Sequence, residues 1–197
     1  MDYILTEVLK FGDYPNRVIV TDDPLRTKML AAHHLENAAL FREQGDELIY
    51  LGSYKGAAIA LISAGFERAA VLPYPRDSKQ LGAIEVIYIG ECVSSVRRYP
   101  LRSVILADGG DQDLLARSKL AASRYDIPIS VRAVSDDVTD SVTRALYERA
   151  RECGIAALSI LTVSENIETG EHMEEHERRS RLYAASRLAF ETLAADK

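Results

Sequence analysis

The residue types best suited to chemistry gather in one turn, Asp22-Asp23-Pro24-Leu25-Arg26. A guanidinium at the start of a helix is well shaped for bidentate recognition of phosphate. Asp22 works against that reading. A carboxylate at contact distance repels phosphate by roughly 1 kcal/mol in water and by several in a drier pocket. The plainer task for Asp22 is to cap the helix. The histidines point elsewhere. His172-Met173-Glu174-Glu175-His176 has i, i+4 histidine spacing, but its glutamates sit differently from a zincin's His-Glu-x-x-His, so it reads as a solvated helix start and not as a metal site. His33-His34 close the first helix, where a cation suits the dipole. Asp108-Gly109-Gly110-Asp111 lacks a lysine at the spacing of a phosphate loop.

The elements that must position these residues follow from periodicity. Arg17 to Thr21 is β-branched and nearly continuous in apolar character, the mark of a buried strand. A helix is expected at once after it, with Asp22 or Asp23 as cap, Pro24 in the first turn, and Leu25, Met29 and Ala32 on one face. Leu48 to Tyr54 and Ala57 to Ser63, separated by Lys55-Gly56, read as a hairpin. Further strands are expected at 86–90, 103–107, 127–134 and 155–163, and helices at 111–124, 138–153 and about 174–195. In the last helix Leu182, Ser186, Ala189 and Leu193 share a stripe. Helices alternating with strands imply crossovers. The expected fold is a three-layer α/β/α domain around a mixed, largely parallel sheet, spanning residues 1–197 as one unit.

Composition narrows the class. The 197 residues are 47% hydrophobic and 27% charged, ordinary for a folded chain with a sizeable core. A net charge of −6 argues against a sequence-blind nucleic-acid binder, which needs a basic face. No stretch approaches the ~18 apolar residues of a membrane span, and the N-terminus lacks the pattern of a signal peptide. Cys92 and Cys153 stand far apart in apolar surroundings, as free thiols do in a reducing compartment. A cytoplasmic location is the expectation, with neither nucleic acid nor membrane as partner.

Four stretches in order resemble the nucleoside phosphorylase family of the purine nucleoside and uridine phosphorylase type. They are Val18 to Lys28, which resembles the family's Gly-Asp-Pro-x-Arg turn, Gly52-Ser53-Tyr54-Lys55-Gly56, Ile87 to Ser94, and Cys153 to Ile167. The last contains Leu161-Thr162-Val163-Ser164-Glu165-Asn166-Ile167, resembling a Thr-Val-Ser-Asp-x-Ile run. The resemblance implies a nucleoside or base as ligand, phosphate as the attacking partner, no cofactor or metal, and a homo-oligomer (a dimer or trimer of dimers) that completes its sites across an interface. It places Glu165 at the acid that protonates the departing base and Arg178 at the arginine that pairs with this acid. It places Arg26 and Glu91 in the phosphate site, and Phe66 and Tyr88 beside the nucleoside.

The chain departs from the family pattern where the chemistry is most demanding. Asp22 replaces a glycine, Tyr88 an arginine, Glu91 a phosphate-binding serine and Val93 a glycine, while Gly45 falls at an arginine lent by a neighbouring subunit and Val142 at the ribose-gripping glutamate. Two of these substitutions put anions into an anion site. The sequence therefore implies a shortened, site-divergent relative. It would cleave an N-glycosidic bond by phosphorolysis or hydrolysis if active, or else serve as a non-catalytic binding or assembly protein.

Overall fold

The computed structural model describes residues 14–64, 78–80, 82–135, 137–180 and 183–195. The first half of the chain gives β1 (Arg17–Thr21), α1 (Pro24–His34), β2 (Glu36–Gln44), β3 (Glu47–Tyr54), β4 (Ala57–Ala64) and β5 (Glu85–Ser94). Then follow β6 (Val104–Ala107), α2 (Gln112–Arg124), β7 (Ile129–Arg132), β8 (Val138–Thr139), α3 (Thr143–Cys153), β9 (Ala156–Asn166), β10 (Glu171–His172), α4 (Glu175–Ser180) and α5 (Tyr183–Ala194).

The strands form one sheet in the order β2-β3-β4-β1-β5-β9-β6-β7, with β8 paired to β5 and β10 to β9. Its centre, β4-β1-β5-β9, is parallel. These strands are covered on both faces, which is why they read as unbroken apolar runs. The β2-β3-β4 hairpins and the β6–β9 pair are antiparallel, so the sheet is mixed. One face carries Ile19, Leu61, Ile87, Ile89, Leu158 and Ile160 against α1, α2 and α5, which contribute Leu30, Leu114 and Phe190. The other carries Val18, Val20, Ile62, Val86 and Val163 against Leu146 and Ala150 of α3. Helix, sheet and helix make the three layers expected.

Three local expectations need correction. The buried face of α1 is Arg26, Thr27, Leu30 and Ala31, while Leu25 is 46% exposed. The apolar stripe misled because this helix turns polar contacts inward: Thr27 Oγ1 lies 2.7 Å from Thr21 Oγ1 at the end of β1. β2 was not anticipated, since ENAALFREQ is an exposed edge strand with no buried alternation to betray it. The helix expected from Val138 begins at Thr143. Val138 and Thr139 pair instead with Ser94 and Val93, and Asp140 Oδ2 accepts from the Val142 and Thr143 N–H groups at the helix start. The final helix is described as α4 and α5. Ser186, Ala189 and Leu193 are buried as expected, and Leu182 lies outside the described residues.

Candidate active site

The carboxyl ends of parallel strands are where α/β folds bind ligands, and here the ends of β1 and β5 meet the start of α1 and the segment α4. Asp23, not Asp22, caps α1: its Oδ1 accepts from the N–H groups of Leu25 and Arg26 at 2.8 and 3.2 Å. That leaves Asp22 free for other contacts.

Asp22 Oδ1 receives Arg26 Nη1 at 2.8 Å. Arg26 Nη2 donates to Glu91 Oε1 at 2.7 Å and to the Arg178 carbonyl oxygen at 3.1 Å. Glu91 Oε2 in turn accepts from Arg178 Nε at 2.7 Å. Arg26 and Glu91 are only 3% and 4% exposed, whereas the Arg178 side chain is 44% exposed. Two acids and two arginines thus form one hydrogen-bonded chain that runs from the buried Arg26 and Glu91 to the exposed Arg178. The Nε of Arg26 is buried without a partner.

Tyr88 joins this chain from the other face of the sheet, its hydroxyl donating to Asp22 Oδ2 at 3.3 Å. Tyr88 and Gly90 share a face of β5, and a Cβ on Gly90 would sit 2.4 Å from the Tyr88 ring. The glycine is what lets the ring lie along the strand and reach past its end.

No hydrogen bond or ion pair among the described residues joins Glu165 to this cluster. A register shift in the β5–β9 ladder pairs Cys92 with Val163 and then Val93 with Glu165. Such an irregularity re-aims the side chains beyond it. Glu165 is exposed and lies opposite His172 in the β9–β10 pair. The expected Glu165–Arg178 pair is therefore not the one formed: Arg178 spends its Nε on Glu91, a buried acid within reach of α4. Val142 is fully buried, and Phe66 lies outside the described residues. Among the described residues no group of three His, Cys, Asp or Glu side chains could hold a metal ion, and His172 sits exposed 3.8 Å from Glu174.

No family model matches the chain. Among curated proteins it is 25% identical over 223 residues to the DeoD-type purine nucleoside phosphorylase of Bacillus velezensis, and 26% identical over 223 residues to that of Bacillus subtilis strain 168. Each alignment covers 93% of this chain and 96% of the relative. Among solved structures, uridine phosphorylase from Vibrio fischeri ES114 superposes with a TM-score of 0.79 at 19% identity, covering 94% of this chain and 92% of that one. In sequence the chain is similar to purine nucleoside phosphorylases, and it shares the fold of uridine phosphorylase.

In this chain the residues expected at the phosphate site, Arg26 and Glu91, touch each other. Tyr88, expected beside the nucleoside, reaches the same cluster through Asp22. Sequence reasoning did not foresee the Arg178–Glu91 bond. Its signal was present: an acid placed in an apolar strand needs a cation, and Arg178 supplies one.

Proposed function

We propose that this chain takes a nucleoside or its base at the carboxyl ends of β1, β5 and β9 and does not use phosphate as its attacking partner. The observation that supports this reading is the pairing of Arg26 with Asp22 and Glu91. The guanidinium that would receive an incoming phosphate already holds two carboxylates. A phosphate would have to displace them or sit beside them, and breaking a buried ion pair from one side is costly.

Chemistry at such a site would be cleavage of the N-glycosidic bond with water in place of phosphate. Glu165, exposed at the end of β9, would act as the acid that protonates the leaving base. A second reading, a binding protein without turnover, is favoured by the engagement of Arg178 with Glu91, which leaves Glu165 without its supporting cation. The exposed edge strand β2 is consistent with assembly of several copies.

The discriminating experiment incubates the purified protein with a panel of purine and pyrimidine nucleosides, with and without inorganic phosphate. The expected outcome is that phosphate leaves the release of free base unchanged, whether or not release occurs, while a nucleoside or base raises the thermal midpoint. Base release that requires phosphate overturns the proposal.

A further inference from the structure

Away from the candidate active site, on the side where β1 begins, a second group of ionisable and aromatic side chains lines an open pocket of about 440 Å³ formed by His33, His34, Tyr54, Lys55, Tyr125, Arg187 and Glu191. That volume lies within the range of roughly 300–1,000 Å³ typical of small-molecule sites. The cavity is built by four elements. The turn between β3 and β4 brings Tyr54 and Lys55, the last turn of α1 brings His33 and His34, the end of α2 brings Tyr125, and α5 brings Arg187 and Glu191.

The charges in this cavity do not cancel. Lys55 Nζ donates to both carboxylate oxygens of Glu191, at 2.7 and 2.8 Å, and to Tyr125 Oη at 2.8 Å. Tyr54 Oη donates to Glu191 Oε1 at 2.8 Å. Glu191 is thus fully engaged by Lys55 and Tyr54. Arg187 is left over. Its guanidinium lies 4.4 Å from the Tyr125 ring centroid and has no ion pair or hydrogen bond among the described residues. A guanidinium stacked on a ring keeps its edge N–H donors free and fixed in orientation, the arrangement that grips a carboxylate or phosphate. Around it stand planar groups: Tyr54, Tyr125 and His34, the last stacked 4.5 Å from Phe190.

We propose that this cavity is a second ligand site, for a small aromatic anion whose carboxylate or phosphate binds Arg187 and whose ring packs among Tyr54, Tyr125 and His34. It is independent of the site at the other end of β1. A lone surplus cation supplies the specificity for charge, and the aromatic walls supply contact area at little cost in rotamer entropy.

The test uses probes with no nucleoside character. Phenyl phosphate and benzoate are titrated calorimetrically against the full chain, beside inorganic phosphate and neutral benzamide. Phenyl phosphate, benzoate or both should bind with a sub-millimolar Kd, at least tenfold tighter than inorganic phosphate or benzamide, and which of the two binds identifies the acidic group. Arg187→Gln should weaken binding at least tenfold and Arg187→Lys by less, both with thermal midpoints near that of the parent. Arg178→Gln, at the other site, should leave binding unchanged. The proposal is overturned if neither acid binds, if benzamide or phosphate alone binds as tightly, if Arg187→Gln binds like the parent, or if Arg178→Gln abolishes binding.

Discussion

Arg26 lies between Asp22 and Glu91, and removing both acids would return the guanidinium to solvent or to an external anion. The variant Asp22→Gly with Glu91→Ser should lose stability in phosphate-free buffer by roughly 3–5 kcal/mol, the usual consequence of leaving a buried charge unpaired. It should regain part of that loss as phosphate is added, because a ligand that binds only the folded state stabilises it by mass action. The parent protein should show no such dependence. Urea unfolding across a phosphate series measures both effects, and a variant indifferent to phosphate would show that the guanidinium is not an anion site even when vacated. The departures at 22, 88 and 91 were legible as departures from the family pattern. Their consequence was not, because sequence order cannot show that two added acids and two arginines close on one another.

Among the elements, β5 shows how a strand delivers a side chain beyond its own end. Gly90→Ala would drive a methyl group to 2.4 Å from the Tyr88 ring, so the ring must swing away from Asp22. Overpacking of this kind costs about 1–3 kcal/mol. Adding Tyr88→Phe to Gly90→Ala should cost little beyond Gly90→Ala alone, since the hydroxyl contact is already lost. A double-mutant cycle by thermal unfolding checks this non-additivity. The buried strands and the Lys55-Gly56 hairpin could be read directly from β-branched runs and turn chemistry. The edge strand β2 and the inward face of α1 could not, for one is exposed and the other buries polar groups, so neither carries an apolar period. The register shift between Cys92 and Val93, beyond which Glu165 lies, also leaves no trace in composition.

Over the whole molecule, acid sensitivity should trace in part to the junction of α1, the β3–β4 turn and α5. Burial lowers the pKa of His34 below its ordinary 6.5, with His33 and Arg187 pushing the same way and Glu191 opposing. The unfolded chain therefore takes up a proton near pH 6.5 that the folded chain resists, and stability should be fully present above that pH and decline as pH falls below it. His34→Phe, which keeps a ring against Phe190, should flatten this decline in urea midpoints measured from pH 7.5 down to 5. An unchanged slope would place the acid sensitivity elsewhere. Burial raises the pKa of Glu191, but the hydrogen bonds from Lys55, Tyr54 and Tyr125 outweigh it and hold the carboxyl below the usual range, so its contribution is lost only at lower pH.

The quartet Asp22, Arg26, Glu91 and Arg178 sums to zero charge. A cleft lined by one sign of charge draws its ligand in from a distance, and its association rate falls as salt is added. A cluster whose own charges cancel contributes to neither. The quartet itself therefore adds nothing to long-range steering, and it would choose a ligand by shape and hydrogen bonding after arrival.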